Sequence, residues 1–165
     1  MNTSLWADTT DSSLQGPLGD KLVGEQRADI GIVGAGYTGL WTDYYLLALE
    51  PSLSISIVDA KYAGFGASGR NGGWVSALFP ASLDSLAHKS NREDAIRMHR
   101  TMTANISDIG AVIEKHQWHV DWEHGGTVVA ARTPVQLERA VEEVTSMQAW
   151  GLGEDLTYLD AQAIT

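Results

Sequence analysis

The sequence predicts an α/β fold that is organised around one βαβ unit. A short apolar run at residues 29–33 leads into a glycine-rich turn, and apolar residues then recur at helical spacing over 40–48. A second run, at 53–59, begins with alternating apolar and serine residues. Short apolar runs are typical of strands in a parallel sheet that is buried on both faces, and a helix between two of them forms the crossover of such a sheet.

The segments next to this unit follow from turn and proline signals. Residues 1–28 are polar and rich in turn residues, so we expect an extended leader, with Trp6 and Leu22 docking onto the body. The helix after the glycine-rich turn must end before Pro51, because the residue that precedes a proline is disfavoured in the helical conformation.

Two longer helices are predicted in the second half of the chain. Residues 91–117 carry an amphipathic pattern, with Asn91 as the N-cap. Thr133 caps the next helix, which has a proline at its first helical position and a glutamine as capping-box partner. This helix is expected to run to about Trp150 and to stop at Gly151.

Strand signals follow the first of these helices. Segments 120–123 and 127–131 flank Gly125 and Gly126, which is typical of a β-hairpin, and residues 156–159 are a candidate for one more strand. We therefore expect the start of an antiparallel sheet here. One βαβ unit supplies few strands for a doubly wound sheet, so we also expect this chain to be the N-terminal part of a longer enzyme.

The composition excludes several classes of protein. The chain has 165 residues and a formal net charge of −10, which argues against a nucleic-acid partner because phosphate contacts need clustered Lys and Arg. It has no cysteine, which excludes disulfides, zinc–thiolate sites and a thiol nucleophile. No apolar run has transmembrane length, and the first residues lack the apolar core of a signal peptide. We expect a cytoplasmic protein without a membrane partner.

The turn between the two strands carries the motif Gly34-x-Gly36-x-x-Gly39, and Asp59 lies twenty positions after the last glycine. This context is that of a Rossmann-like dinucleotide-binding unit. Gly34 makes the tight turn, Gly36 allows the backbone to approach a pyrophosphate, and Gly39 allows the helix to pack on the strand. Asp59 would accept hydrogen bonds from the adenosine ribose, and the motif alone does not choose between FAD and NAD.

A second glycine-rich segment covers residues 64–73 and is too irregular for a helix or a strand. Such a loop can present backbone donors to a polyanion, and Arg70 could pair with a phosphate. Composition alone is equally compatible with a mobile surface loop.

Two sequence stretches resolve this choice by resemblance. From residue 29 to residue 80 the chain resembles the D-amino-acid-oxidase-like family of FAD-dependent oxidoreductases, and in particular its branch of gamma-glutamylputrescine oxidase and related amine oxidases. The stretch Asp-Ile-Gly-Ile-Val-Gly-Ala-Gly-Tyr-Thr-Gly-Leu-Trp-Thr is similar to the first strand and phosphate loop of that branch. Gly-Ala-Ser-Gly-Arg-Asn-Gly-Gly at 66–73 is similar to its flavin-proximal loop. Residues 81–165 resemble the family less specifically.

The resemblance implies a cofactor site. Ser68, Arg70 and Asn71 would lie along the pyrophosphate and ribityl chain, and Gly72 and Gly73 beside the isoalloxazine. The complete predicted set of cofactor-binding residues is Gly34, Gly36, Tyr37, Thr38, Gly39, Asp59, Ala60, Lys61, Gly66, Ala67, Ser68, Arg70, Asn71, Gly72 and Gly73. No histidine occurs in 66–73, where some relatives attach the flavin, so we expect noncovalent FAD.

The resemblance also implies an activity and a domain plan. The expected reaction is oxidation of a C–N bond in a small amine or amino acid, by hydride transfer to the flavin, with the catalytic residues beyond residue 165. Residues 1–28 would be the leader, 29–118 the N-terminal part of the FAD-binding domain, and 119–165 the start of the substrate-binding domain. The alternatives are an NAD-dependent dehydrogenase, since Asp59 suits NAD as well, and a non-catalytic fragment that binds nucleotide or nothing.

Other polar and aromatic residues have simpler interpretations. The histidines and carboxylates at 116–124 are expected to be a solvated hairpin edge and not a metal site. Trp41 and Trp150 fall in helical patterns and are expected in the core. His99 falls on the apolar stripe of its helix and is expected to be a packed or a surface histidine. Trp74 either packs in the core, which we favour, or lines the flavin site.

Overall fold

A computed structural model describes residues 4–10, 19–160 and 162–163. The helices are α1 (Leu5–Thr9), α2 (Tyr37–Leu49), α3 (Leu83–Lys89), α4 (Arg92–His116) and α5 (Pro134–Trp150), the strands are β1 (Ile30–Val33) and β2 (Ile55–Val58), and short 3₁₀ turns cover Ala67–Gly69 and Gly153–Asp155. The predicted α/β class is confirmed. None of these helices combines the length and the apolar character needed to cross a membrane.

The chain divides into two compact units, residues 1–74 and 75–165. The first contains the predicted βαβ unit. β1 and β2 pair in parallel, with Ile30 opposite Ile55 and Val33 opposite Val58. Helix α2 connects them and stops at Leu49, before Pro51, as predicted.

Strand β1 is half-buried on one face only. Ile30 and Ile32 are half-buried, and α2 packs over this face. Gly31 and Val33 alternate with them and therefore point to the opposite face, where Val33 is 89% exposed. Burial of β1 on both faces, which the apolar run predicted, is wrong for the described residues because nothing among them covers the second face.

Helix α2 carries a small aromatic cluster. Trp41 stacks on Tyr45 with ring centroids 5.7 Å apart and meets Tyr44 edge to face at 5.6 Å. Trp41 is half-buried, so the expected core position holds in part.

The leader is not extended throughout. Helix α1 lies within it, because the Ser4 hydroxyl accepts a hydrogen bond from the amide of Ala7 and caps the first turn. Trp6 docks onto the body, as predicted, by donating from Nε1 to the carbonyl of Asn71 at 2.7 Å. Leu22 is 57% exposed, so its predicted docking is wrong. The remaining leader residues, 1–3 and 11–18, lie outside the described part.

The second unit confirms both predicted long helices and adds a short one, α3. The Asn91 side chain accepts from the amide of Asp94 at 2.9 Å at the start of α4. Thr133 accepts from the amide of Gln136 at the start of α5, and Gly151 ends that helix with a φ of 76°. Both helices therefore begin at the capping residues that the sequence predicts, and α5 ends at the predicted glycine.

The second unit is centred on Ala95, Trp150 and Leu152, which are all buried. Leucines of α3 pack against this group. The Arg92 guanidinium lies 4.3 Å from the centre of the Trp150 ring and donates to the carbonyl of Ala149 at 2.7 Å. The predicted core position of Trp150 is therefore confirmed.

His99 packs against the end of the same unit. Its Nε2 lies 2.7 Å from Oδ2 of Asp155, and its side chain is 23% exposed. The histidine is half-buried and hydrogen-bonded, in agreement with its place on the apolar stripe of α4.

The predicted hairpin is wrong. Residues 118–131 contain no strand, and neither do residues 156–159. Val128 and Val129 are 80% and 81% exposed, so the second predicted strand does not pack against the described residues. A two-stranded hairpin without a third strand or an apolar face is marginal in water, which explains why glycine turn signals alone were insufficient.

Candidate cofactor-binding site

Two glycine-rich loops meet in the first unit. The first loop, residues 34–39, starts at the end of β1, and the second loop covers residues 64–73. Gly34 has a φ of 104°, which favours glycine, and its amide donates to the carbonyl of Val58 at 2.8 Å. The amide of Gly64 donates to the carbonyl of Ala35, also at 2.8 Å, so the backbones of the two loops are directly bonded.

The two loops share one construction. In each, a glycine of positive φ is followed five residues later by a second glycine that packs on its carbonyl oxygen. A Cβ added at Gly39 would lie 2.1 Å from the oxygen of Gly34, and one added at Gly69 would lie 2.1 Å from the oxygen of Gly64. The Cβ added at Gly39 would also lie 3.2 Å from Cγ2 of Ile32. This is the close approach of helix to strand that the sequence predicts at Gly39.

Ser68 of the second loop caps the helix that the first loop begins. The N-cap of α2 is Gly36, which has no side chain, and the Ser68 Oγ accepts from the amide of Tyr37 at 2.9 Å. The next amides of the first turn, those of Thr38 and Gly39, have no acceptor within the helix because of helix geometry. The positive end of the α2 dipole therefore lies where the two loops meet.

Asp59 holds the first loop from the end of β2. Its Oδ2 accepts from the amide of Ala35 and its Oδ1 from the amide of Lys61, both at 2.9 Å. These two hydrogen bonds stabilise the ionised carboxylate and lower the pKa of Asp59 below its ordinary value. Each oxygen has capacity for a further bond, so a ribose hydroxyl can still donate to it.

Asn71 connects the second loop to its surroundings. Its amide nitrogen donates to the Ser68 carbonyl and, at 3.2 Å, to the hydroxyl oxygen of Tyr37. Its Oδ1 accepts from the amide of Gly73 at 2.7 Å, and its own carbonyl accepts from Trp6. Four hydrogen bonds of Asn71, three through its side chain and one through its backbone carbonyl, thus hold the loop in place.

Arg70 does not contact the first loop. Its guanidinium lies 4.6 Å from the centre of the Phe65 ring, and the side chain is exposed. Trp74 is 69% exposed, so its expected core position is wrong. Within the described residues no group of three or more His, Asp or Glu side chains is placed to hold a metal ion.

Residues 29–165 match the family described as FAD dependent oxidoreductase, or DAO. The chain belongs to this family. The resemblance seen in residues 29–80 is thereby confirmed, and the family match extends it to the end of the chain.

Individual DAO-family relatives agree. The chain is 34% identical over 137 residues to the gamma-glutamylputrescine oxidoreductase of Escherichia coli, an alignment that covers 82% of this chain and 31% of the relative. It is 27% identical over 123 residues to the probable oxidoreductase OrdL of Haemophilus influenzae, covering 74% of this chain and 27% of that protein. The chain therefore spans just under a third of the length of these relatives. No solved structure matches it.

Two glycines of the second loop leave open space in which the cofactor of a DAO-family protein would fit. Side chains added at Gly66 and Gly72 would meet no atom within 4 Å, and neither residue has a φ in the left-handed region. Contacts within the described chain therefore do not account for glycine at these positions. A ligand lying along the loop would occupy the space of the missing side chains.

Three contributors to the contacts of this candidate site were missed from the sequence. Gly64 and Gly69 were not in the predicted set, although their five-residue spacing repeats that of Gly34 and Gly39. Trp6 was expected to dock, but its target could not be predicted, since 65 residues separate it from Asn71.

Proposed function

We propose that the protein carrying this chain is an FAD-dependent oxidoreductase that oxidises a C–N bond of a small amine or amino acid. The chain would supply the part that binds the ADP and pyrophosphate of FAD. One observation carries the proposal: the second loop of a DAO-family chain caps the helix of a dinucleotide-binding unit, through the Ser68–Tyr37 contact.

The residues of the two loops would divide the work of binding. The amides of Thr38 and Gly39, at the positive end of α2, suit the pyrophosphate. Asp59, which the two backbone amides keep ionised, suits the ribose hydroxyls. Gly66 and Gly72 leave room for the cofactor to lie against the backbone. When bound, FAD supplies the acceptor for a hydride from the carbon that bears the nitrogen.

Further parts of the proposal rest on sequence. The segment 66–73 has no histidine, which supports noncovalent binding. The name of the E. coli relative supports an amine-containing substrate, and the domain plan with a substrate-binding domain from residue 119 is proposed on the same family basis. The absence of cysteine supports a cytoplasmic location.

A pair of matched glycine variants tests the cofactor site. In the longest polypeptide that contains this chain, Gly72→Val places a side chain in the open space of the second loop. Gly125→Val does the same at a glycine in the second unit that is equally open and has no positive φ. We expect Gly72→Val to lose most FAD binding, measured by quenching of flavin fluorescence, and Gly125→Val to bind as the unchanged protein does. Equal binding by both variants contradicts the site.

An NAD-dependent dehydrogenase is the second candidate, because the Asp59 carboxylate at the end of β2 also suits the ribose of NAD. The two candidates differ in what the purified protein does. A protein that stays colourless after saturation with FAD, yet reduces NAD in the presence of a substrate, would refute the flavoprotein proposal. A yellow protein whose colour bleaches with an amine and returns in air supports it.

A further inference from the structure

Helix α1 of the leader contacts the second loop through Trp6. The Trp6 Nε1 donates to the carbonyl of Asn71 at 2.7 Å. The indole ring also lies on Gly73, since a Cβ added there would be 2.7 Å from Cζ2 and 2.9 Å from Cη2 of Trp6. The indole thus contacts the loop at two points, one polar and one apolar.

We propose that Trp6 is a positioning residue for the FAD site, an inference that rests on the proposed FAD-dependent function. Trp6 would act through the backbone of Asn71 and Gly73, which it holds in the conformation that receives the cofactor. The role assigns a function to the leader, which precedes the part of the chain that the family match covers.

The hydrogen bonds of Asn71 carry this effect into the site. Its side chain accepts from the amide of Gly73 and donates to the carbonyl of Ser68, whose hydroxyl caps Tyr37. A shift of the Asn71 backbone therefore moves the acceptor at the start of α2 as well as the Gly73 end of the loop. Trp6 is the partner that holds this backbone from outside the loop.

Gly73 gives independent support for the contact. Its φ of 74° favours glycine, and the Trp6 ring occupies the space that any side chain would need. The two residues interlock, so the indole restricts the part of the loop with the greatest backbone freedom. Gly72, directly before it, stays open to a ligand.

Helix α1 is mostly exposed. None of the residues of α1 is buried, and Leu5 is 66% exposed. Trp6 is 41% exposed, so more than half of its surface is covered. A core-forming role would bury more of the helix, whereas a contact that stabilises one loop needs only the indole.

The benefit of such a contact is preorganisation. A loop that is already held when the cofactor arrives loses less conformational entropy on binding, and this lowers the Kd. Loss of one hydrogen bond together with the ring contact is expected to raise the Kd for FAD by about three- to tenfold.

Three variants of the longest polypeptide test the proposal. Trp6→Phe keeps a ring against Gly73 but removes the N–H donor, Trp6→Ala removes both contacts, and Leu5→Ala is the control on the same helix. We expect Trp6→Ala to bind FAD about three- to tenfold more weakly, Trp6→Phe to recover part of that loss, and Leu5→Ala to match the unchanged protein.

Two readouts separate positioning from general stability. Hydrogen exchange of the cofactor-free protein, followed on peptides that cover 66–74, should accelerate in Trp6→Ala and not in Leu5→Ala. The visible absorption bands of bound flavin should shift in Trp6→Ala, because the loop that moves is the one expected beside the ring system. Unchanged exchange and unchanged affinity in Trp6→Ala would overturn the proposal.

The remaining outcomes are also decisive. Tighter FAD binding by Trp6→Ala would mean that the indole occupies space the cofactor needs, which contradicts a positioning role. Failure of the unchanged protein to bind FAD would refute the proposed function itself, and the role of Trp6 would fall with it. Binding by the unchanged protein with equal binding by Trp6→Ala refutes only the role of Trp6.

Discussion

Replacing Gly39 by alanine should destabilise the first unit. The new Cβ would lie 2.1 Å from the carbonyl oxygen of Gly34 and 3.2 Å from Cγ2 of Ile32. The oxygen belongs to the backbone at the end of β1, so it cannot rotate away. Helix α2 and β1 must separate locally by about 1 Å, which typically costs about 1–3 kcal/mol in a packed region.

A smaller term opposes this cost. Alanine is preferred over glycine in a helix interior by about 1 kcal/mol, and Gly39 lies in the first turn of α2, where the preference is weaker. The net loss in the free energy of unfolding is therefore about 1–2 kcal/mol, and for a chain of this size the thermal midpoint should fall by roughly 2–8 °C.

The measurement is thermal unfolding of the cofactor-free protein by circular dichroism. Gly31→Ala is the matched control, because Gly31 lies in β1 and an added Cβ there meets nothing within 4 Å. Gly39→Ala should unfold at a lower temperature than Gly31→Ala. Equal midpoints for the two variants would refute the inference that the Gly34 carbonyl and the Gly39 Cα are in close contact.

Three further predictions follow from single contacts. Ser68→Ala removes the acceptor for the amide of Tyr37, so it should lower the stability of the cofactor-free protein by about 1 kcal/mol in chemical unfolding, as the loss of a helix cap does. The pKa of Asp59 is lowered in the folded state, so the ionised carboxylate stabilises the protein above the ordinary value of 3.8. This stabilisation is lost as the pH falls through the folded-state pKa. Asp59→Asn should therefore flatten the acid limb of a plot of thermal midpoint against pH. Arg92→Ala removes the ring contact with Trp150 and the hydrogen bond to α5, and should lower the free energy of unfolding by about 1–2 kcal/mol. The control Arg97→Ala removes an arginine that is 77% exposed and should change the free energy of unfolding by less than about 0.5 kcal/mol. Similar losses in both variants would contradict the structural role of Arg92.

The features that were predicted correctly from the sequence are those that depend on interactions between residues close together in the chain. Asn91 and Thr133 cap the helices that follow them, and Pro51 limits α2, because each signal acts within a few residues. The glycine motif and Asp59 belong to the same class, since strand, turn and helix are consecutive in the chain. The family resemblance then supplied the cofactor, which the motif alone did not select.

The features that failed depend on contacts between distant segments. Gly125 and Gly126 carry a turn signal, but a hairpin also needs a surface for its apolar side chains, and Val128 and Val129 have none in the described residues. Trp6 shows the converse case. Its position is fixed by Asn71 and Gly73, and nothing in the sequence around residue 6 encodes that pairing.

Ser68 shows how the two loops share the work of forming one site. Its Oγ accepts from the amide of Tyr37, and a hydroxyl that accepts one hydrogen bond still has its own proton to donate. The amide of Ala35 is likewise already bonded, to Asp59, so an anion at the start of α2 cannot use the amides of Ala35 or Tyr37 without displacing a protein group. It can use the next amide of the helix, that of Thr38, together with the Ser68 proton. The second loop therefore replaces one backbone donor with a side-chain donor at the positive end of α2, which is why we expect cofactor binding to depend on both loops together.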